Sequence, residues 1–311
     1  MGGRLVPRIC VVSLNPAIDA EWRVPFVVPG EKNELISERR WPGGKGINVA
    51  RWLSWLGARP HLILPLGGAT GAELAAGLKA ERLAYTGVPI AQSTRVNVVV
   101  TPDVGTQLRF NPSWPVLSSA EVRALLAEIE MAWRHADAVV LSGSLVRGAP
   151  VDTYAGLVRR ARRAGLPVFL DCDGEAFRLA AREGPSMVKP NEPELATWAD
   201  GPVDEEKAFR AAARKLARAT GEWVLASRGS QGAVLVNGSA EWETSAPAMK
   251  VAKVRNTVGA GDAMLAGAVM GSAGAGAPRS WLSLGLRTAA AAVRSAPGTL
   301  PRPFKHSVLG T

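Results

Sequence analysis

From Ser118 onward, short apolar runs alternate with longer segments in which apolar residues recur every three or four positions. Apolar runs of about four to eight residues predict buried strands, and the three-to-four-residue period predicts amphipathic helices. The predicted order is helix 118–135, strand 138–143, helix 151–165, strand 167–172, helix 174–183, strand 186–191, helix 204–220, strand 223–229 and strand 233–237. This alternation predicts an α/β fold built on a doubly wound, mostly parallel sheet.

The first third of the chain does not follow this alternation of strands and helices. Residues 8–14 form one apolar run, which predicts a buried strand, but residues 20–41 and 93–112 alternate in polarity about every second position. Such alternation predicts strands that lie outside the main sheet, the second pair turning at Pro102–Asp103. We therefore expect one domain over 1–311, in which the insertions at about 20–41 and 93–112 form a small β-sheet lid.

A glycine-rich turn leads into a predicted helix within residues 255–271, RNTVGAGDAMLAGAVMG. Gly259, Ala260 and Gly261 precede a helix that should begin near Asp262. The first N–H groups of a helix lack intrahelical partners and carry the positive end of its dipole, so this end suits a phosphoryl group. A carboxylate there repels such a ligand unless it has a task, such as accepting the proton of an attacking hydroxyl. The alternative interpretation makes Asp262 the N-cap of an ordinary helix.

A second glycine-rich turn, PGGKGINVA at 42–50, precedes a helix that should end near Leu56. Lys45 adds a full positive charge to this second candidate anion site, and Asn48 lies one helical turn further on. The GxxxxGK[ST] pattern of the Walker A loop is absent, so the turn is not that kind of nucleotide loop. Further along, a strand at 61–67 leads to a helix that we expect to be capped by Thr70.

Polar residues follow several of the predicted strands. Asp19 comes shortly after the first strand, and later strands end in 142–144, Asp171, 189–191 and 227–229. Ligands of open α/β sheets bind at the carboxyl ends of the strands, so these residues predict a lined cleft. Asn191 and Glu194 could orient water around Mg²⁺ or, alternatively, cap a short helix. For Asp19 the alternative is a turn residue.

Composition narrows the class of protein. The 311 residues are 47% hydrophobic and 21% charged, with a net charge of +10, two cysteines and three histidines. Basic residues are spread along the chain, so an anionic small substrate explains them at least as well as nucleic acid. Cys10 and Cys172 lie in apolar runs and should be buried thiols. No apolar run approaches the length of a membrane helix; we expect a cytoplasmic protein without membrane or nucleic-acid partners.

Seven stretches occur in the order found in the PfkB (ribokinase-like) carbohydrate kinases, and they span most of the chain. They are LNPAID (14–19), PGGKGINVARWLSWLG (42–57), STRVNV (93–98), LSGSLVRG (141–148), KPNEPEL (189–195), SRGSQGAVLV (227–236) and NTVGAGDAMLAGAV (256–269). The two glycine motifs together are highly specific. The GGKG form, with Lys45, resembles the branch that contains 1-phosphofructokinase and tagatose-6-phosphate kinase.

The resemblance implies a ribokinase-like α/β/α domain with a β lid, which transfers the γ-phosphoryl group of ATP to a sugar-phosphate hydroxyl. By match, Asp262 is the base, and Gly259, Ala260 and Gly261 supply anion-hole amides. The other implied roles are sugar binding by Asp19, Gly44 and Asn48, phosphate binding by Lys45 and Arg95, nucleotide binding by Lys189, Ser227, Gly229 and Gly232, and contact with Mg²⁺ through water by Asn191 and Glu194.

At three of the motifs, this sequence has residues that differ from those usual in the family. The second lid segment has TQLRFNPSW, Arg147 stands in GSLVRG, and Arg228 replaces a commonly small or apolar residue. We expect a ketohexose phosphate as substrate, with fructose 1-phosphate first and tagatose 6-phosphate or fructose 6-phosphate next. The alternatives are a kinase of an unphosphorylated sugar or nucleoside, and a catalytically silent sugar-phosphate sensor. Exposed lid strands suggest a homodimer.

Overall fold

The computed structural model describes residues 6–238, 242–249, 251, 254, 257–274 and 276–301. Arg255 and Asn256, which begin the stretch 255–271, lie outside the described residues. The strands are β1 (Arg8–Val12), β2 (Ala17–Val24), β3 (Ser37–Gly43), β4 (Arg59–Leu66), β5 (Ala84–Pro89), β6 (Arg95–Pro102), β7 (Leu108–Phe110), β8 (Ala138–Ser142), β9 (Val168–Asp171), β10 (Met187–Val188), β11 (Trp223–Ser227), β12 (Ala233–Asn237) and β13 (Trp242–Ala246). The helices are α1 (Lys45–Trp55), α2 (Gly68–Ala80), α3 (Ser119–Trp133), α4 (Thr153–Arg163), α5 (Gly174–Ala181), α6 (Glu192–Ala199), α7 (Glu206–Thr220), α8 (Ala260–Ala273) and α9 (Pro278–Arg294).

The large sheet has the order β13-β12-β11-β10-β9-β8-β1-β4-β5. Its strands run parallel from β5 to β11, and β12 and β13 are antiparallel to their neighbours. The predicted α/β fold with a mostly parallel sheet is therefore confirmed. The sequence did not predict β5 and β13, which form the two edges.

Helices cover both faces of the large sheet, because its central strands bury side chains on both sides. Within β1, Ile9 and Val11 join a core with residues of α1, α2, α8 and α9, while Cys10 and Val12 join a second core with residues of α3 to α7. Cys10 and Cys172 are both buried free thiols, as expected. In the described part of the chain, no helix is long and apolar enough to span a bilayer.

The predicted second sheet is present and has the order β3-β2-β6-β7. β2 pairs antiparallel with β3 and parallel with β6, which in turn pairs antiparallel with β7. The strands extend slightly outside the predicted 20–41 segment, because β2 begins at Ala17 and β3 ends at Gly43. This small sheet is separate from the large one, and both insertions contribute to it.

Three local predictions were wrong. Thr70 is not a cap: α2 is capped by Gly67, and the Thr70 hydroxyl donates to the Thr94 carbonyl at 2.6 Å. Asp19 is not in the turn after β1 but is the third residue of β2. The strand predicted at 186–191 has only two residues, because Asn191 already caps α6.

Candidate active site

The polar strand ends meet at one edge of the large sheet, as the sequence predicted. Strands β11, β10, β9, β8 and β1 are neighbours in that order and run parallel. Their carboxyl ends carry Ser227, Lys189, Asp171, Ser142 and Asn15, and the starts of α1 and α8 face the same edge. Side chains that lie far apart in the sequence are thereby collected into one cleft.

Asp262 lies in the first turn of α8, and its N-cap is Gly259 with φ 80°. The interpretation of Asp262 as an N-cap is therefore wrong. The side chain is buried, since the residue is only 6% exposed. The Ala260 N–H makes only a long bond of 3.4 Å to the Thr257 carbonyl, so a ligand anion can compete for it. The turn over Gly259–Gly261 thus brings helix N–H groups and a buried carboxylate together.

Asp262 has an unusual acidity for a carboxyl group. Burial raises its pKa to about 6, and repulsion from Asp171 adds to this effect. A hydrogen bond from Asn48 Nδ2 to Asp262 Oδ2, at 2.9 Å, and the charges of Lys45 and Lys189 oppose the rise only in part. A carboxyl group whose pKa lies near neutrality suits proton abstraction, because it is ionised at physiological pH yet basic enough to accept a proton.

Arg51 orients Asn48, and the sequence analysis did not identify it as a site residue. Its buried guanidinium donates to Asn48 Oδ1 at 2.9 Å and to the Pro42 carbonyl at 2.9 Å. Two further bonds, at 2.7 and 2.8 Å, join it to the Glu81 carboxylate. Since Asn48 Oδ1 accepts from Arg51, its Nδ2 is directed to Asp262.

Asp171 contacts both lysines of the cleft. The sequence analysis did not predict this arrangement. Its carboxylate is 1% exposed and accepts from Lys45 Nζ and Lys189 Nζ, each at 3.1 Å. Burial alone would raise the pKa of Asp171, but the two ammonium groups lower it below the ordinary value. Burial opposes the charge on Lys45, whereas Asp171, Glu194 and Asp262 raise its pKa. Asp171 therefore remains a carboxylate, and Lys45 remains charged.

Asn191 and Glu194 form a capping box at the start of α6, so the capping interpretation holds. The Glu194 N–H donates to Asn191 Oδ1 at 2.8 Å, and the Asn191 N–H donates to Glu194 Oε2 at 2.9 Å. The other carboxylate oxygen, Oε1, accepts from Lys45 Nζ at 3.2 Å. Glu194 thus caps the helix with one oxygen and presents the other to the cleft, and the two predicted roles are compatible.

Asp19 lies on the side of the cleft formed by the small sheet. Its Oδ1 accepts from Asn97 Nδ2 at 2.8 Å, and burial raises its pKa above the ordinary value. A Cβ on Gly43 would lie 2.2 Å from the Asp19 carboxylate, so only glycine fits there. Asp19, Asn48 and Gly259 line one cavity, which brings residues of the small sheet and of both glycine turns together.

Arg95, at the start of β6, is held differently from Lys45. Its Nη2 donates to the Asn15 carbonyl at 3.1 Å, and burial lowers its pKa. Arg95 Nε, Asn15 Oδ1 and Asn97 Oδ1 are buried without a hydrogen-bond partner in the described structure. Buried polar atoms are rarely left unpaired. These three atoms therefore fit a ligand that both donates and accepts hydrogen bonds.

Three of the four residues predicted to bind the nucleotide, Ser227, Gly229 and Gly232, lie in a tight turn between β11 and β12. The Ser227 N–H donates to the Pro190 carbonyl at 3.0 Å, which fixes the turn beside Asn191. Gly229 has φ +53°, and a Cβ there would meet nothing within 4 Å, so the turn is open at this point. Gly232 differs, because a Cβ would lie 2.2 Å from the Ala246 carbonyl oxygen. The structure therefore explains Gly232 by packing.

Comparison with known proteins identifies the class to which this site belongs. Residues 8–304 match the model of the pfkB family carbohydrate kinases. The chain is 36% identical over 267 residues to the "ATP-dependent 6-phosphofructokinase isozyme 2" of Mycobacterium tuberculosis, which covers 85% of this chain and 78% of that protein. It is 38% identical over 273 residues to the "1-phosphofructokinase" of Rhodobacter capsulatus, which covers 84% of this chain and 83% of the relative.

A solved structure of the tetrameric inhibited form of phosphofructokinase-2 from Escherichia coli has the same fold. It superimposes with a TM-score of 0.85 and 29% identity, and the match covers 94% of this chain and 96% of that chain. The expected family, fold and enzyme class are confirmed, and the chain belongs to the pfkB family of carbohydrate kinases.

Proposed function

We propose that this kinase transfers the γ-phosphoryl group of ATP to a hydroxyl group of a ketohexose phosphate. Fructose 1-phosphate is the first candidate acceptor, followed by tagatose 6-phosphate and fructose 6-phosphate. The observation that carries the proposal is the buried carboxylate of Asp262, whose pKa is raised to about 6, directly behind the Gly259–Gly261 turn. A general base and an anion-binding helix start therefore adjoin each other.

In the proposed reaction, Asp262 accepts the proton of the attacking hydroxyl group. Asn48 holds Asp262 Oδ2 through its 2.9 Å hydrogen bond, which keeps the carboxylate directed into the cleft. The backbone N–H groups of Gly259, Ala260 and Gly261 stabilise the charge on the transferred group. Phosphoryl transfer depends chiefly on such positioning and charge stabilisation.

The nucleotide is proposed to lie beside the Ser227–Gly232 turn, with Lys189 near its phosphates. A Cβ on Gly261 would lie 3.4 Å from Lys189 Nζ, so the lysine charge adjoins the start of α8. Mg²⁺ supplies charge neutralisation of the phosphates when it is bound, and it usually keeps several waters. No group of three ligating side chains that could hold a metal is found in the described residues. Glu194 Oε1, which accepts from Lys45 Nζ, and Asn191 fit Mg²⁺ that is held through water.

The acceptor is proposed to be phosphorylated because cationic groups remain next to unpartnered polar atoms. Arg95 Nε is buried without a partner in the part of the chain that the structure describes, and Asp19 provides an acceptor for sugar hydroxyls. Lys45, whose Nζ contacts the carboxylates of Asp171 and Glu194, is proposed to contact the acceptor phosphate. The two relatives named above carry the names of fructose-phosphate kinases, which supports this acceptor class.

A homodimer through the small sheet remains part of the proposal. Apolar side chains on and beside its strands are exposed, among them Leu108, Phe110, Phe26, Leu35 and Ile36. Exposed apolar strands are typical of surfaces that pair with a partner. The cytoplasmic location also remains a prediction.

The test is ADP release from Mg-ATP with a panel of acceptors and with Asp262→Asn as the blank. The panel contains fructose 1-phosphate, fructose 6-phosphate, tagatose 6-phosphate, fructose, ribose and adenosine. Turnover confined to a phosphorylated ketose supports the proposal and names the acceptor. Turnover only on neutral sugars or nucleosides refutes the roles of Lys45 and Arg95, and binding without any turnover favours a sensor.

A further inference from the structure

Arg228 lies inside the proposed nucleotide turn, and its side chain reaches the starts of α6 and α7. Its side chain is 5% exposed, and each of its three nitrogen atoms donates a hydrogen bond. Nε and Nη2 donate to Glu192 Oε1 at 3.1 and 3.0 Å, and Nη1 donates to Glu206 Oε2 at 2.8 Å. Nη2 also donates to the Asp204 carbonyl. Four of the five N–H donors of this side chain are thus engaged with acceptors of the protein.

The partners of Arg228 begin the two helices next to the turn. Glu192 is the first residue of α6 and Glu206 is the first residue of α7. Carboxylates are favoured at helix N-termini by the helix dipole, and a guanidinium can bridge two of them because its donors spread in a rigid plane. The guanidinium also lies over the Phe209 ring, 5.0 Å from its centroid. One side chain therefore joins the turn to both helices.

We propose that Arg228 is a positioning residue for nucleotide binding, which holds the 227–232 turn in register with Asn191 and Glu194 at the start of α6. The backbone bridge between Asn191 and Ser227 joins the turn to the start of α6, and Arg228 adds a second link from the same turn to α6 and to α7. Without Arg228, Glu192 and Glu206 face each other without the cation between them and repel. This inference rests on the proposed assignment of the turn to the nucleotide.

The test compares Arg228→Met with Arg178→Met. Met keeps an apolar side chain over Phe209 but removes the charge and the donors. Arg178 is the matched control, because it donates to the Thr197 carbonyl at 2.7 Å and pairs with Asp200 at the opposite end of α6. The readouts are calorimetric affinity for Mg-ADP, which needs no acceptor, and KM for Mg-ATP and for the acceptor separately.

We expect Arg228→Met to weaken Mg-ADP binding and raise KM for Mg-ATP about tenfold, and to change KM for the acceptor less than about twofold. Arg178→Met should leave both nucleotide values unchanged. Adding Glu192→Gln to Arg228→Met should restore part of the nucleotide affinity, because it removes one of the two repelling carboxylates. Because Glu192→Gln would also recover stability, the contrast between KM for Mg-ATP and KM for the acceptor distinguishes positioning from a general loss of stability. Arg228→Lys covers the case in which the Met variant does not fold, and should weaken Mg-ADP binding less.

The Gly229→Asp variant distinguishes a failure of this inference from a failure of the proposed nucleotide assignment. Asp tolerates the positive φ of Gly229 and would add a negative charge on the open side of the turn. If Gly229→Asp weakens Mg-ADP binding but the Arg228 variants do not, the positioning role is refuted and the nucleotide assignment stands. If none of these variants weakens binding, the assignment of the turn fails and the inference fails with it. Equal losses in Arg228→Met and Arg178→Met also refute it.

Discussion

Replacing Asp262 with Asn should inactivate the enzyme and, at the same time, stabilise the folded protein above about pH 6. The asparagine side chain would keep an oxygen that accepts the hydrogen bond from Asn48, but it carries no charge. The ionised carboxylate of Asp262 is buried and repelled by Asp171, which is why its pKa is raised from 3.8 to about 6. The wild-type residue therefore costs stability in its active, ionised form.

The expected size of the gain follows from that shift. A raised pKa means that the folded state binds the proton more tightly than the unfolded state, so stability is lost as the pH rises from 3.8 to about 6. At about 1.36 kcal/mol per pKa unit, the loss reaches about 3 kcal/mol at pH 8 and about 1 kcal/mol at pH 4.5. The Asp262→Asn variant does not lose stability in this way, because its side chain does not ionise.

The assay is urea unfolding of the unliganded protein at pH 4.5 and 8, together with kcat. We expect the stability advantage of Asp262→Asn to grow between the two pH values, and kcat to fall at least about a hundredfold, as after loss of a general base. Asp137→Asn is the control: hydrogen bonds from Arg8 lower the pKa of Asp137, so that change should destabilise the protein at pH 8. An Asp262→Asn protein that is less stable than wild type at pH 8, or that keeps its kcat, refutes the reasoning.

Three further predictions concern the remaining parts of the site. Asp171→Asn should move the acid limb of the kcat/KM pH profile to lower pH, because repulsion on Asp262 is removed; an unchanged profile contradicts this. Gly43→Ala should raise KM for the acceptor at least about tenfold and leave KM for Mg-ATP unchanged, because its Cβ would displace the Asp19 carboxylate; equal effects on both substrates argue against the assignment. Phe110→Asp, at a side chain that is 56% exposed, should weaken self-association in sedimentation equilibrium if the small sheet forms a dimer; unchanged association excludes this surface.

Regular elements were predictable wherever the periodicity was strong, as in the helices and strands after Ser118. The strand β5 was not, because its sequence AYTGVP contains Gly87 and Pro89, which are depleted in strands and weaken the pattern at a sheet edge. The cap of α2 was assigned to Thr70 because threonine is a common N-cap, but its hydroxyl donates to the carbonyl of Thr94, which directly precedes β6. For β5 and for the start of α2, contacts with other elements determined the structure, and the local sequence does not show these contacts.

The candidate site was predictable where glycine turns and strand ends carried a local signal. Asp171 was recognised only as a polar strand end, since its importance comes from lysines at positions 45 and 189. Arg51 looked like one more basic residue of an amphipathic helix, and its link to Asn48 depends on Glu81 of another element. Residues that act through partners distant in the sequence leave no local pattern.

The bond between Asn48 and Asp262 joins residues 214 positions apart, and the contact between Lys45 and Glu194 spans 149 positions. Contacts of such long sequence separation form late, because they require the intervening chain to be ordered first. On the ribosome, α8 must therefore be synthesised before the bond from Asn48 in α1 to Asp262 can form. Recovery of activity during refolding should follow the recovery of helical structure, so enzyme turnover would report the completion of the fold.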